Sequence, residues 1–161
     1  MTIRKIEIER LSVTSSKPFE AVVAALEAAI GHPDMAQFAK GTEGARTFAE
    51  LESTVDRALG RTGLMLFMKL DAGAVLRKET GLDTPKIVRF LIGNPLIMKE
   101  MVKHVPDAGS YAPVTVLVDE RSDGVRDKMA SLLASYGNPG ALAVARDLDS
   151  KVESLLRDCT G

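Results

Sequence analysis

Ile87-Val88-Arg89-Phe90-Leu91-Ile92 runs straight into Gly93-Asn94-Pro95 and then into Leu96-Ile97-Met98-Lys99-Glu100-Met101-Val102. The first six residues are mostly β-branched or aromatic and carry apolar groups on both parities, the signature of a strand. Asn94 is a strong N-cap residue, and Pro95 suits the first helical position, where the missing N–H has no intrahelical partner to lose. Ile97, Met98, Met101, Val102 and Val105 then recur at helical spacing. Upstream, Leu64-Met65-Leu66-Phe67-Met68-Lys69-Leu70 is a second apolar run that reads as a strand buried on both faces, with Asp71 placed to cap a helix ending at Gly81.

Working outward, Ile3 to Thr14 reads as a strand whose apolar parity changes near Glu9 and Arg10, which predicts a bulge there. Pro18 opens a helix in which Phe19, Val22, Val23, Leu26 and Ile30 follow helical spacing to Gly31. Residues 32–63 read as a helical insertion: a short helix from Met35 to Ala39, a loop from Gly41 to Gly44, then Thr47 with Glu50 as a capping box opening a helix to Leu59. Val114 to Val118 is a third strand, Arg121 to Gly124 a turn, and Val125 onward a partner strand. Asn138-Pro139 starts a last helix with an apolar stripe of Leu142, Ala145, Leu148, Val152, Leu155 and Leu156. This order predicts an α+β fold, one domain over residues 1–161, with a mixed or antiparallel sheet covered by helices. The strands Leu64 to Leu70 and Ile87 to Ile92 need cover on both faces, whereas one helical layer covers one. Either the 32–63 segment or a second subunit supplies the rest, and a homodimer is the expectation.

Composition narrows the function. The 161 residues carry 45% hydrophobic and 27% charged side chains, enough for one ordinary core without a disulfide or metal staple. A net charge of -1 removes any global electrostatic drive toward nucleic acid or anionic lipid, and a 4% aromatic share is too thin for base-stacking platforms. No stretch approaches the ~20 apolar residues of a membrane span, and the N-terminal residues do not read as a secretory signal, so the expected compartment is the cytoplasm.

The catalytic motifs are sparse. The chain lacks G-x-x-x-x-G-K-[ST], G-x-G-x-x-G and G-x-S-x-G. Gly60-Arg61-Thr62-Gly63 has the composition of a short phosphate loop and equally of an ordinary turn. Asn94-Pro95 sits at a helix start whose N–H groups suit an anion or carboxylate, and also reads simply as a cap. Glu100 and His104 lie one helical turn apart, the spacing of half a metal site or of an oriented acid/base pair. With only two histidines in the chain, His104 reads more simply as a residue at the edge of an apolar stripe. Met65, Met68, Met98 and Met101 suit either core filling or an adaptable apolar pocket. No cofactor is expected.

Phe90-Leu91-Ile92-Gly93-Asn94-Pro95-Leu96-Ile97, followed by Lys103-His104, Tyr111-Ala112-Pro113-Val114 and Ser135-Tyr136-Gly137-Asn138, resembles the family called domain of unknown function 302. The resemblance runs from about Phe67 to Leu156, more loosely over Leu11 to Ile30, with 32–63 as a lineage-specific segment. It implies a TATA-binding-protein-like α+β fold, often paired as a dimer, with no established reaction. Family members often carry Asp-His-Gly where this chain has Asp71-Ala72-Gly73, which removes a histidine from any shared site. The positions it retains as ligand-binding candidates are Asp71, Asn94, Pro95, His104 and Tyr111. The leading functional expectation is a non-catalytic, homodimeric domain that binds or senses a small apolar or mixed ligand between sheet and helices. The alternatives are a metal-dependent or acid/base enzyme using Asp71, Glu100 and His104, and a protein interaction module without a ligand.

Overall fold

Phe90 and Ile92 point to one side of their strand, and their partners across the ladder, Val116 and Val114, point the same way, as directly opposed residues must. All four are buried. They anchor the structure, a computed structural model that describes residues 9–83, 85–121, 124–131 and 138–161. Five strands form one antiparallel sheet in the order β1-β5-β4-β3-β2: β1 (Glu9–Ser15), β2 (Met65–Asp71), β3 (Ile87–Gly93), β4 (Val114–Arg121) and β5 (Gly124–Ser131). The parallel alternative is realised only as an isolated bridge between Gly31 and Met65.

Two helices cover the Phe90 face. Helix α1 (Phe19–Ala29) contributes Phe19, Val22 and Leu26, and helix α6 (Pro139–Thr160) contributes Ala145, Leu148, Val152 and Leu155, all packed in one core with Val114, Val116 and Val118. Asn138 caps α6 by accepting from the N–H groups of Gly140 and Ala141. At the edge of this face Lys69, opposite Phe90, lays its ammonium 5.6 Å from the ring centroid and 2.6 Å from Glu27 of α1. On the exposed side of α6, Glu153 and Arg157 pair at 2.6 Å.

The remaining helices lie at connections. They are α2 (Met35–Gly44), α3 (Phe48–Ala58), α4 (Ala74–Thr80), α5 (Pro95–Val102) and a 3₁₀ turn over Pro106–Ser110. Helix α2 does not stop at a Gly41 to Gly44 loop as the glycines suggest. Asp34 caps it by accepting from the N–H groups of Ala36 and Gln37. Gly41 lies within the helix, and its bare Cα lets α2 and α3 pack closely, since a Cβ there would lie 2.8 Å from Thr54 Cγ2. Thr47 caps α3 through Glu50 N, while the Glu50 carboxylate accepts from Arg46 N one residue beyond the usual box.

Three other expectations change. β2 is an edge strand, and it is not buried on both faces: Met65 is buried, but Met68 and Leu70 are 47% and 42% exposed. Its register shifts between Leu66 and Met68, leaving Phe67 as the bulged residue. Asp71 is not the N-cap of α4, which is Gly73. The bulge expected near Glu9 and Arg10 is absent from the β1–β5 ladder, whose register is unbroken from Glu9 to Ser15; the residues before Glu9 lie outside the described ones.

Candidate functional site

The Gly60–Gly63 turn spends its donors on the backbone. Gly60 N donates to Leu64 O at 3.0 Å and Gly63 N to Gly60 O at 2.9 Å, so the phosphate-loop reading of this motif fails. Gly31 and Gly60 touch so closely that a Cβ on Gly31 would lie 1.9 Å from Ala58 O. Asn94 binds this turn to α5. Its Oδ1 accepts from Leu96 N at 2.8 Å, the expected cap, and its Nδ2 donates to Gly63 O at 3.0 Å.

Beside Asn94 opens an apolar cavity of about 410 Å³. Phe38 and Thr42 of α2, with Leu51 and Val55 of α3, form one wall. Phe67 of the β2 bulge, Gly93 and the Ala112-Pro113-Val114 segment form the second. Pro95, Leu96, Met98 and Met101 of α5, with Leu148 of α6, close it. Its two uncharged polar side chains are turned to the backbone: Asn94 bonds the turn and the start of α5, and the Thr42 hydroxyl donates to Ala39 O at 2.9 Å. Among the described residues, Lys99 is the only ionisable one in the lining. Its ammonium lies 2.5 Å from Glu100 Oε1 and 4.7 Å from the centroid of the Phe48 ring.

Of the residues singled out in the sequence, Asn94, Pro95, Met98 and Met101 line this cavity, and Met65, Met68, Asp71, Glu100, His104 and Tyr111 do not. Asp71 lies at the far end of β2, beside Val88 at the start of β3, and pairs with Arg77. The Arg77 guanidinium, helped by the N–H groups of Gly73 and Ala74, holds the Asp71 carboxyl below its ordinary range. Glu100 lies between two lysines, and Lys103 first and Lys99 second pull its pKa down to about 2. It therefore faces ammonium groups instead of orienting His104. The exposed His104 follows α5, its ring lying where a Cβ on Gly140 would come within 2.8 Å of Nε2. Tyr111 is half-buried against the core beside the 3₁₀ turn. No group of three or more His, Cys, Asp or Glu that could hold a metal forms among the described residues.

Sequence reasoning missed Phe38, Leu51, Val55 and Phe67 as cavity residues. A signal existed in Leu51 and Val55, two apolar side chains one turn apart on the same face of α3.

The fold and the cavity define a single-domain α+β protein, an antiparallel sheet with helices over one face and an apolar hollow at its edge. Residues 40–159 match the family "Domain of unknown function DUF302", and the chain belongs to that family. The match begins within the 32–63 segment and does not include Leu11 to Ile30. The crystal structure of an uncharacterized conserved DUF302 protein from Bacillus stearothermophilus has the same fold. It is 15% identical, and the superposition has a TM-score of 0.64 over 93% of this chain and 97% of that one. No curated protein matches the chain. No helix among the described residues is long and apolar enough to cross a membrane.

Proposed function

We propose that this protein is a non-catalytic, cytoplasmic domain that binds a small, largely apolar molecule in the cavity between α2, α3 and α5. The observation that carries the reading is the cavity itself. Its volume falls within the roughly 300–1,000 Å³ of small-molecule sites, and its walls are apolar on every side but that of Lys99. Asp71, Glu100 and His104, on which an enzyme reading depends, lie on separate elements, and the two acids are already paired with neighbouring cations. The test is a titration with neutral 1-octanol followed by amide chemical shifts. Shifts confined to the cavity walls, and lost in Thr42→Trp where an indole fills the space, support the reading. Binding that survives Thr42→Trp, or no binding, overturns it.

The same protein is proposed to be a homodimer through its uncovered sheet face. Met68 and Leu70 point to the face opposite Phe90, as do Leu91 and Leu117 across the ladder. Helices α2 and α3 leave Met68 and Leu70 exposed, so the 32–63 segment does not supply the missing cover. Sedimentation at micromolar concentration should give a dimer that Met68→Glu with Leu70→Glu dissociates. A monomeric parent protein would overturn the dimer and leave the cavity reading intact.

A further inference from the structure

The segment that carries α2 and α3 is pinned at its base and lightly held above it. Gly31 and Gly60 both donate to Leu64 O, at 2.9 and 3.0 Å, and Thr62 donates to Ala29 O through its N–H and its hydroxyl. A Cβ on Gly60 would lie 2.3 Å from the Ile30 carbonyl carbon, so the two ends of the segment meet backbone to backbone. Above this neck, among the described residues, no hydrogen bond or ion pair joins residues 33–58 to the rest of the chain. The bonds made there stay inside the segment: Asp34 and Thr47 cap its helices, Glu50 accepts from Arg46 N, and Arg57 donates to the Ser53 and Thr54 hydroxyls. With Gly41 packed on Thr54, α2 and α3 make one self-contained hairpin.

The cavity walls divide along the same line. Met101, Val114 and Leu148 belong to the common core, whereas Phe38, Leu51 and Val55 of the hairpin do not. Moving the first set would break the core, while moving the second only draws apolar side chains off the hollow. We propose that the hairpin is a lid, opening as one body about residues 32–34 and Leu59, and that it is the wall that moves when a ligand enters, a route that rests on the cavity reading. Asp34 and Leu59 are extended between the neck and the helices, and a few residues at element ends suffice for a hinge. The latch is Phe48, outside the cavity lining, whose ring lies 4.7 Å from the Lys99 ammonium of α5.

Amide hydrogen exchange on the full chain tests the motion. The amides of α2 and α3 should share one opening equilibrium, while those of Gly31 and Gly60 stay protected with α1 and α6. Phe48→Leu, which keeps an apolar side chain and loses the ring, should speed exchange about threefold in both helices, the worth of an exposed cation–π contact, and leave α1 and α6 unchanged. Helices that exchange independently, or a neck that opens with them, overturn the lid. Entry is tested by tying the hairpin down. Glu52 of α3 and Ser150 of α6 line one groove and lie outside the cavity lining, so Glu52→Cys and Ser150→Cys can be joined by a short bismaleimide in a Cys159→Ala background. In the tied protein 1-octanol should enter and leave more slowly by the same factor, its amide signals passing from fast to slow exchange with the dissociation constant kept. Unchanged rates in the tied protein reveal another entrance and overturn the route. A protein that binds no 1-octanol even untied overturns the cavity reading and the route with it, and the exchange pattern then decides the hairpin motion on its own.

Discussion

Asn94 makes two separable bonds, so its contribution can be predicted in parts. Asn94→Ala removes the cap on α5, worth about 1 kcal/mol. It also takes the amide donor from Gly63 O, a part-buried bond worth about 1 kcal/mol more. The expected loss is about 2 kcal/mol, or roughly 4–8 °C in Tm for a domain of this size. Asn94→Ser separates the halves: its hydroxyl oxygen still accepts from Leu96 N as a cap but its short side chain gives nothing to Gly63 O, and should lose about 1 kcal/mol. Urea denaturation with the slope held in common is the assay. An unchanged midpoint for Asn94→Ala would refute the structural role altogether. An Asn94→Ser as unstable as Asn94→Ala would show that the cap contributes nothing and the bond to Gly63 everything.

Gly31→Ala drives a Cβ to 1.9 Å from the Ala58 carbonyl oxygen and should cost about 3 kcal/mol or more, because backbone cannot swing aside; a soluble variant of parental stability would contradict the close approach. Gly140→Ala meets only the exposed His104 ring, which can rotate away, and should be nearly neutral, but should stabilise by about 0.5–1 kcal/mol when His104→Ala is already present; thermal melts of the four proteins decide. The Glu100 carboxyl should titrate near pH 2 by NMR and move upward in Lys103→Met. Since its folded pKa is depressed, its stabilising contribution is complete above the ordinary value of 4.5 and disappears as pH falls through about 2. Helix α2 buries none of its residues, so its amides should exchange well before those of α1 and α6; equal protection across the three helices would show α2 to be part of the global folding unit.

The parts of the fold that rest on local chemistry were legible. Asn94-Pro95 and Asn138-Pro139 each open a helix where the sequence places one, because an N-cap acceptor and a proline act within three residues of themselves. Thr47 opens α3 for the same reason. Properties set by position in the sheet were harder to read. The apolar run at 64–70 looks two-sided, yet its place at the sheet edge and the shift at Phe67 decide what is covered, and neither is a property of the run alone. Gly41 reads as a helix breaker until its neighbour Thr54 is known, which makes it a packing residue. Where the ionisable candidates lie was no more legible, since Asp71 pairs with Arg77 and Glu100 with Lys99 and Lys103, contacts that their sequence spacing alone does not single out. Asn94 and Pro95 did reach the cavity, but as the start of a helix that forms one of its walls.

The cavity also gives a physical account of the α2–α3 pair. Val55 is the single buried residue of α3, and α2 has none, so the two helices add little to the common core. Their apolar side chains Phe38 and Leu51 are half-buried against the hollow instead. Apolar walls facing empty space forgo dispersion contacts on that side, and a molecule of matching size restores them. On the proposed reading, docking of these helices and occupancy of the cavity are two expressions of one equilibrium, in which a ligand bound only by the folded chain would stabilise it by RT ln(1 + L/Kd), with L its free concentration. On the same reading, contacts with the ligand would account for a segment that carries so few buried side chains of its own while presenting Phe38, Leu51 and Val55 to the same side.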